Sequence, residues 1–226
     1  MLAIHRRPRL AFFVGTLGAA TFIATVLAVA SDAAGATDER IRRRFLKAQC
    51  PALDTVSAIV TPLMSPQLLI ACSLGFGVAT RKRGPQVWLP VVSAPFVAMT
   101  AGRVFTSTLP RQYAPTPENG KLELSFPSGH TTGATAEALT IACVLRKNGM
   151  VGSATATAIA LVPIVEGLNR LYRDRHWASD VVAGLSAGAT IAALLCWVSG
   201  DRARRTPSHP RSVRRPKLAC RLASSP

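Results

Sequence analysis

The sequence predicts an all-α fold, a polytopic membrane protein built as a bundle of six transmembrane helices. Three observations lead to this fold class. Hydrophobic residues make up 49% of the 226 residues and charged residues only 17%. The mean hydropathy of +0.27 and this composition are more apolar than those of an ordinary soluble domain. The apolar residues are gathered into long stretches, and short basic clusters separate these stretches.

Each apolar stretch is a candidate for one membrane span, which needs about 20 residues as a helix. The stretches cover residues 10–30, 61–80, 87–106, 131–145, 151–168 and 181–199. The fourth is short, but the polar residues 128–130 extend the same helix. Small residues are frequent in the last three, as at 152–156 and 184–189, and such residues let helices approach closely in lipid. We therefore expect a single membrane domain over residues 1–200.

The distribution of charge predicts the orientation of this domain. The chain has 27 Lys and Arg residues against 11 Asp and Glu, and 16 of the basic residues lie in the two terminal segments and in alternate loops. Because loops rich in Lys and Arg stay in the cytoplasm, both termini are expected on the cytoplasmic side. The membrane is expected to be the plasma membrane. In the first outer loop, residues 38–49 are expected to form an amphipathic helix on the membrane surface.

The two terminal segments need separate interpretation. Residues 1–30 also resemble a cleavable signal peptide, but the apolar run is long for one, and a retained helix is preferred. Residues 201–226 are basic and contain too few apolar residues to fold, so they are predicted to be a disordered cytoplasmic tail. Such a tail is attracted to anionic lipid headgroups. Nothing in it is typical of nucleic-acid recognition, and no nucleic-acid partner is expected.

The cysteines do not have the spacing of a zinc site or a disulfide framework. Cys72, Cys143 and Cys196 lie within apolar stretches. We expect them to behave as small hydrophobic residues.

A first polar cluster, residues 125–132, interrupts the apolar pattern on the predicted outer side. Ser128 is a suitable N-cap for the helix that follows, and Gly129 allows a ligand to approach the backbone. The free N–H groups of a helix start form an anion site, with His130 at its edge. The alternative for this cluster alone is an ordinary capped helix with an interfacial histidine.

A second polar cluster, residues 169–180, lies on the same side. His176 and Asp180 are four residues apart and therefore share a helix face. A carboxylate bonded to one imidazole nitrogen makes the other nitrogen more basic, as a nucleophilic histidine requires. Arg170 offers forked donors for phosphoryl oxygens. The alternative for this cluster alone is an exposed, salt-bridged loop.

Taken together, the two clusters are much more specific. P-S-G-H at 127–130, followed by R-x5-H-x3-D at 170–180, resembles the signature of the type 2 phosphatidic acid phosphatase superfamily. The family's third motif begins with Ser, where this chain has Asn169. Its first motif, K-x6-R-P, is matched only irregularly by Arg103 and Arg111. These two arginines are eight residues apart, and a proline precedes the second one.

The resemblance implies roles for these residues. His176 would attack phosphorus and form a phosphohistidine, Asp180 would orient it, and His130 would protonate the leaving oxygen. The phosphoryl oxygens would be held by a further set: Arg103, Arg111, Arg170, Ser128 and the Gly129 backbone. No metal and no cofactor is implied.

Two acids lie inside predicted spans, where a charge is costly unless it is paired or hydrated. Glu166 is four residues before Arg170 and is expected to orient it. Glu137 either lines the substrate cavity or makes a hydrogen bond between helices.

The predicted function is hydrolysis of a lipid or polyprenyl phosphate or diphosphate by an integral membrane phosphatase. The site would face the extracytoplasmic side, and the substrate's tail would stay in lipid. Recycling of a polyprenyl carrier is the first expectation among the substrates, ahead of phosphatidic acid and phosphatidylglycerol phosphate. The alternative is a non-catalytic protein of similar fold that binds or transports a lipid phosphate. A soluble vanadate-holding enzyme does not fit the apolar spans.

Overall fold

The computed structural model describes residues 7–108, 115–116 and 124–203, and these residues form helices joined by short turns. The all-α class is confirmed. The helices are α1 (Arg7–Ala30), α2 (Gly35–Lys47), α3 (Pro51–Leu63), α4 (Pro66–Thr80), a 3₁₀ turn (Arg81–Arg83), α5 (Pro85–Thr108), α6 (Gly129–Lys147), α7 (Ser153–Tyr172) and α8 (Ala178–Ala203). Arg111 and residues 204–226 of the predicted tail lie outside the described residues.

Helix α8 is central to the packing of the bundle, because it contacts α1, α5, α6 and α7. Two glycines four residues apart allow α6 to lie directly against it. A Cβ atom at Gly184 would come 2.8 Å from the carbonyl oxygen of Ser128. A Cβ atom at Gly188 would come 2.5 Å from the Cβ of Thr135. The small residues predicted to bring helices together therefore do so at this interface.

The second apolar stretch is divided, which corrects the prediction of one continuous helix over residues 61–80. Helix α3 ends at Leu63 and α4 begins at Pro66, and the two are bent by 51°. Pro66 occupies the first turn of α4, and the Ser65 side chain accepts a hydrogen bond from the N–H of Leu68. Proline suits a helix start but interrupts a helix interior. The new helix therefore begins at this point.

Within the described residues, three helices are long and apolar enough to cross a membrane: α1, α5 and α8. The bent pair α3 and α4 meets the same test when taken as one span. On α1, Phe12 is 71% exposed and Phe13 is 62% exposed, as expected for a lipid-facing helix. Helices α6 and α7 do not pass the test, so the count of six spans stays a prediction.

The segment 38–49, predicted to be an amphipathic helix, is helical over most of its length and forms most of α2.

A disulfide joins two helices of the bundle. Cys143 on α6 and Cys196 on α8 have Cα atoms 6.4 Å apart and are joined as a disulfide. Both thiols were expected to act as small hydrophobic residues. The pairing of Cys143 with Cys196 could not be predicted from spacing, because 53 residues separate the two cysteines.

The close contact between α6 and α8 gives a stability prediction. Gly188→Ala places a methyl group where the backbone of α6 already lies, and we expect it to destabilise the fold by about 1–3 kcal/mol. Thermal unfolding in detergent measures the effect. Gly75→Ala in α4 is the matched control, because a Cβ atom there meets nothing within 4 Å. An unfolding temperature for Gly188→Ala at or above that of the control would contradict the packing described here.

Candidate active site

A cavity of about 580 Å³ opens at one end of the bundle, and both polar clusters of the sequence contribute to it. Helix α5 contributes Arg103, the start of α6 contributes Gly129 and His130, and the end of α7 and the following turn contribute Arg170 and His176. These five residues were all predicted to act on phosphate. Helix ends that are far apart in sequence thus bring them to one wall.

The imidazole of His176 is held through its Nδ1 atom. Nδ1 lies 3.1 Å from the carbonyl oxygen of Ser125 and 3.6 Å from Oδ2 of Asp180. A carbonyl oxygen only accepts, so Nδ1 carries the hydrogen in the neutral ring, and Nε2 keeps its lone pair. Asp180 was expected to be the hydrogen-bond partner. The Ser125 carbonyl takes that place in this structure, with the carboxylate close behind it.

Asp180 also joins the two clusters through its backbone and caps a helix through its side chain. Its Oδ2 accepts a hydrogen bond of 2.9 Å from the N–H of Trp177, directly before α8. A side chain at the third helical position that reaches back in this way satisfies an N–H group of the helix start. Its carbonyl oxygen accepts a bond of 3.1 Å from the N–H of Ser128. The side chain is fully buried, so its position is fixed from several directions.

The start of α6 has the N-cap that the sequence predicted. The Ser128 hydroxyl lies 2.9 Å from the Thr131 hydroxyl and accepts a bond from the Thr131 N–H. Ser128 is fully buried, whereas a Cβ atom at Gly129 would meet nothing within 4 Å. The backbone at Gly129 is therefore open to a ligand. In this structure the Ser128 hydroxyl serves the helix start, and its contact with phosphate stays a prediction.

Arg170 is positioned by a buried carboxylate, as its spacing from Glu166 predicted. Its Nε donates to Oε1 of Glu166 at 2.5 Å, and both side chains are almost completely buried. Nη2 of Arg170 has no hydrogen-bond partner among the described residues. A buried guanidinium N–H without a partner is unusual. Since Arg170 lines the cavity, an anion there would complete its hydrogen bonds.

Glu137, the other acid inside a predicted span, bonds across a helix interface. Its Oε1 accepts a hydrogen bond of 2.9 Å from the hydroxyl of Ser73 on α4. Of the two roles expected for Glu137, lining the cavity or bonding between helices, the structure shows the bond between helices.

The turn between α7 and α8 is locked by Asp174, which has a left-handed φ of 55°. The N–H groups of Asp174 and Arg175 bond to the carbonyl oxygens of Leu171 and Arg170, the pattern of a Schellman helix end. The Asp174 carboxylate accepts two bonds from Arg42 on α2, at 2.7 and 2.8 Å. It accepts a third from the hydroxyl of Thr116, at 2.7 Å.

Burial by itself raises the pKa of Asp174, because it penalises the charged form. The hydrogen bonds from Arg42 and Thr116, together with the nearby positive charge of Arg42, outweigh that penalty and hold the pKa below its usual value. Asp174 is therefore a stable carboxylate at neutral pH.

The comparisons with known proteins agree with this geometry. The sequence profile of the PAP2 superfamily matches residues 91–204, half of the chain, and this range includes Arg103, His130, Arg170, His176 and Asp180. The chain belongs to the PAP2 superfamily.

Two curated relatives have named activities. The chain is 32% identical over 143 residues to decaprenylphosphoryl-5-phosphoribose phosphatase of Mycobacterium tuberculosis, a match that covers 60% of this chain and 73% of that protein. It is 31% identical over 150 residues to lipid A 1-phosphatase of Porphyromonas gingivalis, which covers 65% of this chain and 31% of that protein. The predicted superfamily and the predicted phosphatase activity are confirmed.

A solved structure agrees in fold. It is a transmembrane PAP2 type phosphatidylglycerolphosphate phosphatase from Bacillus subtilis, with a TM-score of 0.70. The alignment covers 90% of this chain and all of that chain at 20% sequence identity.

Within the PAP2 signature, Asn169 stands where Ser is usual and has its own partners here. Its Oδ1 accepts a bond of 2.7 Å from the Ser57 hydroxyl. Its Nδ2 donates to the Thr61 hydroxyl at 3.2 Å. Both partners are on α3, so this departure from the family pattern ties α3 to the end of α7.

Several residues of the site were missed by sequence reasoning. Arg175 and Thr116 line the cavity, and the Ser125 carbonyl holds His176. Arg42 and Asp38 on α2 contact the loop that contains His176. A carbonyl group leaves no trace in residue identity. The one signal available in the sequence was Asp38, an acid among the arginines of a predicted amphipathic helix. A helix that only binds a membrane surface through its basic residues has no need of that acid.

The Glu166–Arg170 pair gives a prediction for activity. Glu166→Gln removes the charged acceptor, and a hydrogen bond to a charged group is worth about 1.5–3 kcal/mol. We expect kcat/KM to fall by about 10- to 100-fold, since about 1.4 kcal/mol corresponds to a factor of ten. Glu137→Gln is the control, because it is another buried acid whose hydrogen bond goes to Ser73. Equal activities of the two variants would contradict an orienting role for Glu166.

The Arg42–Asp174 pair gives a prediction for pH dependence. A carboxyl whose pKa is lower in the folded protein stabilises the fold above its unfolded pKa and loses that effect as the pH falls. In Arg42→Gln, the ion pair no longer outweighs the cost of burying the Asp174 charge. We therefore expect the free energy of unfolding to fall by about 1–3 kcal/mol at neutral pH. The gap from wild type should close as the pH falls below about 4.

Unfolding temperatures measured between pH 3 and pH 7 test this expectation. The control is Arg43→Gln, since Arg43 is mostly exposed and lies 3.9 Å from Glu39. A gap for Arg42→Gln that does not change with pH would show that the two charges are not coupled as described.

Proposed function

We propose that this membrane phosphatase cleaves its substrate through a phosphohistidine on His176. The observation that carries the proposal is the hydrogen bond from Nδ1 to the Ser125 carbonyl, because it leaves the Nε2 lone pair as the nucleophile in an arginine-lined cavity. In the first step Nε2 bonds to phosphorus and the bond from phosphorus to the lipid oxygen breaks. The ring becomes positively charged, and Asp180 at 3.6 Å from Nδ1 stabilises that charge.

His130 supplies and recovers the proton in this scheme. As the lipid oxygen leaves, protonated His130 gives it a proton. The neutral His130 then takes a proton from a water molecule, whose oxygen attacks the phosphohistidine. The bond between Nε2 and phosphorus breaks, and inorganic phosphate is released.

Positive groups in fixed positions hold the phosphoryl oxygens. Arg170 is pre-oriented by Glu166, and its Nη2 has no described partner. Arg103 lines the same cavity from α5, and the first N–H groups of α6 lie near Gly129. Such donors stabilise the charge that develops in the transition state without reorganising. Arg111 and Ser128 are proposed as further phosphate ligands from the sequence motifs.

The substrate proposed here is a lipid phosphate, with a polyprenyl-linked phosphate as the first choice. The cavity lies at the end of an apolar bundle, so the tail of an amphiphile can stay in lipid while its phosphate reaches His176. The relative from Mycobacterium tuberculosis is named for a decaprenyl-linked phosphoribose. The relative from Porphyromonas gingivalis is named for lipid A.

The proposed location is the plasma membrane, with the cavity on the extracytoplasmic side. Support comes from the basic residues at the opposite end of the bundle, Arg81–Arg83 after α4 and Arg146 with Lys147 at the end of α6. By the positive-inside bias that end is cytoplasmic, and so are both chain termini. The domain over residues 1–200 and the basic tail over 201–226 are proposed on the same grounds.

Phosphate release by the purified protein tests the proposal. The substrates to compare are a polyprenyl-linked 5-phosphoribose, a polyprenyl diphosphate, phosphatidylglycerol phosphate and phosphatidic acid. His176→Ala should lower kcat on the preferred lipid by at least about 10³-fold, as loss of a nucleophile does. His130→Ala should also lower kcat on the preferred lipid, because both proton transfers slow down.

The matched control is His209→Ala, in the predicted tail, which should keep wild-type activity. If wild type and His176→Ala bind the lipid phosphates equally and neither releases phosphate, the chain is the non-catalytic binding protein of the alternative. If they release phosphate equally, the catalytic role of His176 is wrong.

A further inference from the structure

Helix α2 has two faces of different character. Asp38 is buried and Arg42 is partly buried, and both face the bundle. Four basic residues occupy the opposite face, since a helix turns by about 100° at each residue. All four are exposed, and they are Arg40, Arg43, Arg44 and Lys47.

The inner face of α2 contacts the loop that contains His176, here called the catalytic loop, on both sides of that histidine. Before His176, Arg42 makes the two bonds to Asp174 described above. After His176, the Asp38 carboxylate accepts bonds from the N–H and the hydroxyl of Ser179, at 2.9 and 2.7 Å. Ser179 is in the first turn of α8, where the positive end of the helix favours an acid.

Between these two attachments, α2 also contacts the residue next to the nucleophile. The guanidinium carbon of Arg42 lies 5.7 Å from the ring centre of Trp177, within the range of a cation–π contact. These contacts of Arg42 and Asp38 thus attach α2 to three residues of the segment 174–179: Asp174, Trp177 and Ser179.

The contacts of Arg42 and Asp38 with the segment 174–179 are called the clamp. A second set of bonds continues from this clamp to the cavity wall. The Asp174 carbonyl accepts a bond of 3.0 Å from the N–H of Thr116, in addition to the hydroxyl bond already described. The Thr116 carbonyl accepts a bond of 3.3 Å from Nη1 of Arg175. Thr116 and Arg175 both line the cavity. A displacement of α2 therefore changes the position of the wall and of His176 together.

We propose that α2 couples the active site to the charge of the membrane surface. Its outer basic face binds anionic lipid headgroups, which attract Lys and Arg near the surface. Its inner face then holds the loop around His176 in the reactive position. On a zwitterionic surface the outer face is not attracted, the clamp opens more often, and turnover is slower. Arg42 and Asp38 are positioning residues in this scheme, and its activity readout rests on the proposed function.

The test uses the full chain in nanodiscs of phosphatidylcholine alone or with added phosphatidylglycerol, which leave both faces accessible. A short-chain prenyl phosphate that is soluble in water is the substrate, so that its partitioning does not follow the lipid. For wild type we expect kcat to rise several-fold with phosphatidylglycerol while KM changes little. Added salt should remove the rise, because screening weakens surface charges.

Variants separate the two faces. The triple variant Arg40→Gln, Arg44→Gln and Lys47→Gln should match wild type in phosphatidylcholine and gain nothing from phosphatidylglycerol. The matched control is Arg81→Gln, Lys82→Gln and Arg83→Gln, an equal loss of exposed charge at the other end of the bundle, and it should keep the rise. Arg42→Gln should be slow on both surfaces, and Arg42→Lys should restore part of the rate.

A wild-type kcat that does not respond to phosphatidylglycerol would overturn the proposal, and so would a full response of the outer-face variant. A second readout is independent of activity. Backbone amides in residues 35–47 and 173–179 should exchange hydrogen more slowly with phosphatidylglycerol present, in wild type and not in the outer-face variant. If wild type hydrolyses no lipid phosphate, the proposed function fails, and hydrogen exchange alone decides whether α2 senses the lipid.

Discussion

The close packing of α6 against α8 is the constraint on which the site depends. Gly184 and Gly188 leave no side chain between the two helices, so the start of α6 comes within hydrogen-bond distance of the start of α8. The bond from the Ser128 N–H to the Asp180 carbonyl measures 3.1 Å. That contact sets Gly129 and His130 opposite His176. A bulky residue at either glycine would separate the two motifs, whatever their own side chains could do.

Buried charge at the mouth of the bundle is tolerated because most of it is paired. Arg170 and Glu166 are both almost fully buried and share one short bond, which reduces the cost of burying each charge. Nη2 of Arg170 and Oε2 of Glu166 have no partner among the described residues. A site that satisfied every donor internally would have no hydrogen bonds to offer an anion. The unpartnered Nη2 is therefore consistent with a cavity built to bind phosphate.

A second layer of contacts surrounds the turn at Asp174. Helix α2 reaches it through Arg42, and helix α3 reaches the preceding turn of α7 through Ser57 and Thr61. Both helices contact α7. Their bonds are polar and include a forked pair between Arg42 and Asp174. The loop that contains His176 is consequently held from two sides as well as from the bundle.

Much of the fold was predictable from local pattern. The apolar stretches located α1, α5, α6, α7 and α8 to within four residues at each end, because apolar content and length decide what can form a helix in lipid. Helix α3 was not located, since most of it precedes the second stretch. The division at Ser65 was missed, although Pro62 and Pro66 were visible in the sequence. The predictions for His130, His176, Arg103, Arg170 and Gly129 placed them in one site, and the structure brings all five to one cavity. Those predictions rested mainly on the spacing of residues within the motifs.

The sequence by itself determined the class of fold, the superfamily and five of the residues that line the cavity. Each of these follows from residue types at short, regular spacing. Only the tertiary structure decided that the Ser125 carbonyl, rather than Asp180, accepts from Nδ1 of His176, and that α2 holds the loop that contains His176. Such contacts join residues that are 51 to 141 positions apart. They depend on backbone atoms and on packing distances, and residue identity does not encode either one locally.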